Sequence, residues 1–326
     1  KRKLRSRPQN TDFYFKESVS WSFISSSNFG VRYYPQGFIF DVAGSSAFPK
    51  STISYKNLTA FLCSSVAPKM MSLLNPTLNF QVGNVENLPF VSVEASYFAE
   101  NCIQLSKADW DAYETSWNFI DNPIISTKQS TLAQSFETWQ SQNASAVAEM
   151  KRLEEENNRL FIEAYGLQDE LTPDVPDEQI TLNRADREKD SQRLVSYAIG
   201  CMMGRYSLDA SGLIYAHAGN EGFDATKYPT FPADADGIVP ITDMLWFEDD
   251  AANRVQEFLQ AVWGKATLDE NMAWLAESLG GKDSETPIET IRRYLSNSFY
   301  KDHLQTYKKR PIYWHFSSGK QGAFQA

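Results

Sequence analysis

The sequence predicts an α+β fold: a mixed α/β domain, a long helical spacer and a mainly helical C-terminal domain. Three observations predict it. Short alternating apolar runs lie near the N-terminus, a heptad pattern lies in the middle, and large apolar residues recur at helical spacing towards the C-terminus. We place the boundaries at residues 1–130, 131–170 and 171–326, which agrees with the usual domain length of about 100–200 residues.

The first segment combines strand and helix signals. The runs Val31–Tyr34 and Gly37–Asp41 are bounded by Pro35 and Gly44 and predict strands separated by turns. In Ser54–Leu74, apolar residues recur every three to four positions, although a proline interrupts the pattern. We therefore expect helices packed on a small sheet.

The middle segment predicts one long helix. Apolar residues fall on a heptad seam sustained over about four to five heptads, and two asparagines fill the remaining seam positions. The seam consists of Leu132, Phe136, Trp139, Asn143, Ala146, Met150, Leu153, Asn157, Leu160 and Ala164. Such a helix can pair with another helix and act as a spacer, but an ordinary bundle helix shows the same pattern.

The last segment predicts a linker followed by a helical domain. Leu171–Asn183 contains two prolines and many acids, as is typical of a linker. Tyr228–Pro240 contains three prolines and predicts a loop. Helical spacing of large apolar residues is found in Arg193–Tyr206, Ala251–Trp263, Glu270–Leu279 and Pro287–Phe299.

Charge is distributed unevenly along the chain. The formal net charge is -10, but residues 1–130 hold 12 Lys and Arg against 10 Asp and Glu, whereas residues 131–326 hold 19 against 31. A short basic stretch at the start could contact phosphates, although a solvated tail has the same composition. Its basic residues are Lys1, Arg2, Lys3, Arg5, Arg7 and Lys16.

The composition indicates a soluble, cytoplasmic chain without a membrane partner. Apolar residues make up 42% and charged residues 22%, as in ordinary globular proteins. No segment approaches the ~18 consecutive apolar residues of a membrane span, and the basic start is not followed by a signal-peptide core. The three cysteines form no CxxC pair, so we expect free thiols rather than disulfides or a zinc site.

We find no catalytic motif and no metal site in the sequence. None of its 16 glycines forms a nucleotide-binding motif, and Gly200 and Gly204 lie in an apolar helical stretch, where small residues allow close packing. The histidines His217, His303 and His315 are dispersed and predicted to be structural. The acids Glu248–Asp250 precede a predicted helix and suit its N-terminal dipole better than a metal.

Candidate DNA-contacting residues all lie in the first segment. Hydroxyl, amide and guanidinium groups of the stretch 21–32 can bond phosphates or base edges, and the basic start can supply further phosphate contacts. A polar turn beside a core aromatic residue is the alternative explanation. The candidates are Arg2, Lys3, Arg5, Arg7, Lys16, Trp21, Ser22, Ser25, Ser26, Asn28 and Arg32.

Several long runs resemble one known family in family order. Lys3–Ser22, Phe38–Ser46 and Leu74–Pro89 resemble the target-recognition domain of PglX-type DNA adenine methyltransferases of BREX phage-defence systems, and more loosely that of type IIG enzymes. Later runs resemble the C-terminal region of the same family: Arg152–Asn158, Glu163–Gln168, Ser196–Leu208 and Arg310–Gly319.

The resemblance implies a site-specific DNA adenine methyltransferase that uses S-adenosylmethionine. The family's cofactor glycine motif and Asn-Pro-Pro-Tyr motif are absent here, and Asn75–Leu78 matches only the first two residues of the latter. We therefore expect part of a longer protein that binds no cofactor itself and recognises double-stranded DNA for a separate N-terminal methyltransferase domain. Other phage-defence proteins are possible partners. A type I-like specificity subunit and a protein-interaction scaffold remain alternatives.

Overall fold

The computed structural model describes residues 8–25, 29–50, 53–217 and 221–318. The chain forms two compact units. The sheet unit consists of residues 1–107 and 146–182, and the helical unit consists of residues 108–145 and 183–326. Helices together with one small antiparallel sheet confirm the predicted α+β class.

The sheet unit is built around three antiparallel strands in the order β2-β1-β3. These strands are β1 (Ser18–Ser22), β2 (Val31–Tyr34) and β3 (Gly44–Ala47). The first four helices of the chain are α1 (Tyr55–Cys63), α2 (Val66–Leu74), α3 (Val82–Glu86) and α4 (Ser96–Asp111). The predicted strand at Val31–Tyr34 and the predicted helices between residues 54 and 74 are confirmed.

One face of the sheet packs on α1. Because side chains alternate along a strand, Val19, Trp21 and Val31 point to the same side, and they are buried with Phe61 and Leu62 of α1. The sheet therefore has one apolar face covered by helices.

Two local predictions in this unit need correction. The proline Pro68 does not break its helix, because it lies in the first turn of α2, where an N–H has no partner within the helix. The predicted strand Gly37–Asp41 is irregular chain. This segment is held by backbone bonds to Phe15 and by the Phe40 ring, which packs 5.3 Å from Phe48, rather than by a partner strand.

The spacer helix α6 (Leu132–Tyr165) confirms the predicted long helix. It contributes residues to both units, with the division at Ser145 and Ala146. Its buried asparagines bond to backbone: Asn143 Nδ2 donates to the carbonyl of Asn183 (3.0 Å), and Asn157 Nδ2 donates to that of Ala60 (2.9 Å).

The compact units do not follow the boundaries placed at residues 130 and 170. Residues 108–130 belong to the helical unit, where Phe119 and Ile124 are buried in its core. The expected linker 171–183 packs mostly in the sheet unit, because Val175 and Ile180 are buried against Met150 of α6. Prolines and acids indicated a loop, but buried apolar residues make that loop part of a core.

The helical unit contains the predicted helices with shifted ends. Before the spacer lies the short α5 (Pro123–Ser126). The later helices are α7 (Arg187–Met202), α8 (Ala251–Trp263), α9 (Leu268–Ser278), α10 (Pro287–Tyr294), a π-helical segment (Leu295–Phe299) and α11 (Tyr300–Thr306). The range Tyr228–Pro240 contains no helix or strand, as predicted.

Local side chains explain where α7 begins and ends. Asp186 caps it by accepting a hydrogen bond from the Lys189 N–H (3.0 Å), so it begins six residues before the predicted Arg193. It ends at Met202, and Gly204 then takes a φ of 70°, a conformation that glycine adopts readily.

Candidate nucleic-acid interface

The outer face of the sheet, opposite α1, is polar. Strand alternation places Ser18, Ser20 and Ser22 on this face, and the register sets Ser20 opposite both Arg32 and Ser46. Ser20 Oγ donates to the carbonyl of Ser45 (2.9 Å) and lies 2.8 Å from Ser46 Oγ. Serine hydroxyl groups therefore follow β1 on this face and continue onto β3.

A small groove of about 120 Å³ lies over these serines. Its floor includes Ser18 and Ser20, and its walls include Tyr34, Phe38 and Ile39. The Phe38 and Ile39 side chains are half exposed or more, and the rings of Tyr34 and Phe38 pack edge to face at 5.2 Å. The serines on its floor are buried, its sides carry flat apolar groups, and Asp41 also lines it.

Among the described residues, Lys16 and Arg32 carry positive charge beside this face. Lys16 is exposed and lines the groove, with its Nζ 5.3 Å from the Phe13 ring centroid. Arg32 is exposed on β2, the end strand of the sheet, and its Nη1 donates to the carbonyl of Val31 (2.8 Å). Burial raises the pKa of Glu154 to about 7, and the nearby Arg32 charge partly offsets this.

The structure brings together only part of the predicted DNA-contacting set. Lys16, Ser22 and Arg32 are exposed on or beside the outer face, and Ser25 is half-buried beyond the end of β1. The remaining polar and basic candidates lie outside the described residues: Arg2, Lys3, Arg5, Arg7, Ser26 and Asn28.

Trp21 differs from the expectation that it contacts DNA. It is on the inner face of the sheet and only 3% exposed, and its Nε1 donates to the carbonyl of Phe80 (2.9 Å). Its ring packs near Phe29, with the centroids 6.3 Å apart. Because the ring is enclosed and its one donor is used, Trp21 supports the sheet from the core side.

Sequence reasoning missed the aromatic wall of the groove. The alternation that places Arg32 on the outer face also places Tyr34 there, so this residue could have been found from the pattern. The sequence did not indicate that Phe38 and Ile39 line a groove, because their apolar run was interpreted as a strand. Phe15, which exchanges backbone bonds with this segment, has a φ of 63°, an unfavourable value for a bulky residue.

The acidic run before α8 has a structural role, as predicted. Asp250 caps α8 by accepting a hydrogen bond from the Asn253 N–H (2.8 Å), which confirms the helix-terminus interpretation of that acidic run. Gly200 allows close packing, since a Cβ there would lie 2.5 Å from the Tyr206 ring.

The three cysteines carry free thiols. Within the described ranges, no three His, Cys, Asp or Glu side chains form a possible metal site.

Comparisons with known proteins place the chain beside adenine-specific methyltransferases. It is 40% identical over 353 residues to the adenine-specific methyltransferase BrxX of Escherichia coli O9:H4 (strain HS), and 40% identical over 335 residues to the adenine-specific methyltransferase PglX of Lacticaseibacillus casei (strain Zhang). Each match covers 99% of this chain. The chain spans 29% and 28% of the length of these two relatives.

These matches confirm the resemblance drawn from the sequence runs. No family model matches the chain. In the parts of the chain that the structure describes, every helix is too short or too polar to cross a membrane.

Proposed function

We propose that this chain recognises DNA for an adenine-specific methyltransferase and does not carry the methyl-transfer chemistry itself. The observation that carries the proposal is the similarity along 99% of the chain to under a third of two adenine-specific methyltransferases. The cofactor glycine motif and the Asn-Pro-Pro-Tyr motif are absent from the same sequence. The complete protein would use S-adenosylmethionine and act in the cytoplasm as part of BREX-type phage defence.

The outer face of the sheet is the proposed DNA surface. Lys16 and Arg32 would contact phosphates, together with the basic residues of the first seven positions, and these contacts would orient the duplex without reading it. Hydroxyl groups of Ser22 and of the stretch 25–28 would bond base edges. The exposed side chains of Phe38 and Ile39 could pack against bases or sugars.

The proposal is tested by fluorescence anisotropy with duplexes that contain the host's methylated sites and with random duplexes, at about 50 mM and about 200 mM salt. We expect Lys16→Ala and Arg32→Ala to weaken binding and each to reduce the salt slope by about one. Lys69→Ala is the matched control, because Lys69 is exposed on α2, which packs against α1. Absence of binding to every duplex at the lower salt would overturn the proposal.

A second candidate function is a protein-interaction scaffold. In the helical unit, Met244, Leu245 and Trp246 are exposed in a loop flanked by Asp243 and by acidic residues from position 248. Exposed large apolar groups beside acids suit a protein partner better than DNA. Capture of another defence protein at high salt without DNA, lost when Trp246 and Leu245 become Ser, would favour the scaffold. A type I-like specificity subunit would instead bind DNA and a separate methyltransferase chain.

A further inference from the structure

The end of the helical unit carries a basic, aromatic surface in an otherwise acidic part of the chain. Residues 303–318 contain three Lys and Arg and no Asp or Glu, whereas residues 131–326 hold 19 against 31. We call residues 307–316 the C-terminal strip. It follows α11 and belongs to the helical unit. Its positive charge sets it apart from the rest of this unit and suits a partner that carries negative charge.

The basic side chains of this surface are accessible. Four exposed cations lie in α11 or in the strip: Lys301, Lys308, Lys309 and Arg310. In the described part of the chain, none of the four has a carboxylate within ion-pair distance. The neighbouring Asp302 instead accepts a hydrogen bond from the Tyr294 hydroxyl (3.0 Å). The four charges are therefore not neutralised within the described structure.

The backbone fixes two of these lysines in a tight turn. Lys308 and Lys309 have φ values of 51° and 61°, a left-handed conformation that residues other than glycine adopt rarely. Their N–H groups donate to the carbonyls of Gln305 (3.2 Å) and Leu304 (2.7 Å) and so close the end of α11. Strained residues of this kind cluster at sites that bind ligands.

Inward-facing rings hold the strip against α11. The Ile312 N–H donates to His303 Nε2 (3.1 Å), so the chain after the turn runs back beside the helix. The Tyr313 ring stacks on the His303 ring, with the centroids 5.1 Å apart. The His315 ring lies 4.4 Å from the ring of Tyr300, the first residue of α11. The backbone of residues 312–315 is therefore anchored at several points.

The aromatic residues that alternate with these anchors face solvent. Trp314 is 87% exposed and Phe316 is 63% exposed. Single exposed apolar residues are common, but two large rings on an anchored backbone beside four cations form one patch. Because α11 is about 9 Å long, the rings beside its start and the cations after its end lie roughly 10 Å apart. This is the length of about three stacked nucleotides at ~3.4 Å each.

We propose that the C-terminal strip binds an unpaired DNA strand. Trp314 and Phe316 stack on bases, and the four cations contact phosphates. Proteins that bind single strands without reading their sequence combine a positive surface with aromatic rings, because every base has a flat face. A duplex keeps those faces inside its own stack, so exposed rings favour a single strand. This surface is in the helical unit and does not rest on the DNA recognition proposed for the sheet unit.

The test is fluorescence anisotropy of the complete chain with a labelled oligo(dT) of about ten nucleotides. A duplex of the same length is the comparison. We expect Trp314→Ala to weaken oligo(dT) binding about tenfold or more, because stacking on one base contributes about that factor. Trp314→Phe should retain most of the affinity, since a flat ring remains. The matched control is Trp246→Ala, because Trp246 is also exposed in this unit but lies among acids.

The cations are tested by the double variant Lys308→Asn with Lys309→Asn. Asparagine removes the charge but tolerates the left-handed conformation, so the turn is kept. The loss of two phosphate contacts should reduce the salt slope of oligo(dT) binding by about 1.4, at about 0.7 per contact with a single strand. Lys265→Asn is the control, because Lys265 is exposed in the same unit away from the strip.

The outcomes separate this proposal from the DNA surface of the sheet unit. Lys16→Ala and Arg32→Ala should leave the loss caused by Trp314→Ala unchanged. Absence of oligo(dT) binding at about 50 mM salt overturns the proposal and leaves the exposed rings to a protein partner. Equal losses from Trp314→Ala and Trp246→Ala also overturn it, as does a duplex that loses as much affinity as oligo(dT) in the Trp314→Ala variant.

Discussion

Replacing Arg292 by Met should strongly destabilise the helical unit. Arg292 and Asp250 are 8% and 1% exposed at their side chains, and the guanidinium donates to Asp250 Oδ2 through Nη2 (2.6 Å) and Nε (3.2 Å). Asp250 also caps α8 through Oδ1. The substitution leaves the buried Asp250 carboxylate without its positively charged partner. We expect the free energy of unfolding to fall by roughly 3–5 kcal/mol.

Differential scanning calorimetry measures this loss. For a unit of this size, about 2–4 °C of Tm correspond to each kcal/mol, so the transition should fall by roughly 6–20 °C. The control is Lys189→Met, because Lys189 Nζ lies 3.7 Å from Asp186 in an exposed pair of the same unit. An exposed pair contributes at most about 1 kcal/mol, so its Tm should change by only a few degrees.

The double variant Asp250→Asn with Arg292→Met separates charge burial from packing. Asparagine can still cap α8, and no charge is left unpaired, so the double variant should be more stable than the Arg292→Met variant. The reasoning is refuted if Arg292→Met costs no more than the Lys189 control, or if the double variant loses the sum of the two single losses.

Three further predictions follow from single contacts. Gly200→Ala should cost about 1–3 kcal/mol in urea unfolding, because its Cβ would lie 2.5 Å from a buried ring, whereas Gly83→Ala, with nothing within 4 Å, should be neutral or stabilising. Since burial lowers the pKa of His303 from 6.5 to about 4, the unfolded chain takes up its proton first as the pH falls. Stability should therefore decline over that range by up to roughly 3 kcal/mol, and a pH series of unfolding curves should show a shallower decline for His303→Gln. Trp21→Phe removes a 2.9 Å hydrogen bond from the core. It should cost about 1–3 kcal/mol in thermal unfolding yet leave DNA affinity unchanged, and a selective loss of affinity would contradict the core assignment.

Local sequence patterns determined most of the regular structure. The range Ala251–Trp263 matches α8 from end to end, because an aspartate cap precedes a clean helical pattern and a glycine follows it. Val31–Tyr34 and the long helix from Leu132 are also as predicted. In each case the side chains near in sequence decide both the conformation and the face that is buried.

The sequence also predicted part of the candidate interface. Strand alternation places the serines of β1 together with Arg32, because one face of this sheet must pack on helices. The sequence could not decide whether Trp21 is exposed or buried, since an aromatic residue in a strand suits either face of the sheet. The strand predicted at Gly37–Asp41 was wrong for a related reason. An apolar run forms a strand only if another strand is available to pair with it.

Only the tertiary structure decided the compact units and the contacts between distant segments. The Tyr307 hydroxyl donates to the Glu114 carboxylate although the two residues are 193 positions apart in the sequence. The expected linker after residue 170 is part of a core because Val175 and Ile180 pack against Met150. A sequence pattern records which residues prefer burial, but packing between distant segments selects their partners. The unit boundaries and the contacts between distant segments therefore depend on the folded chain.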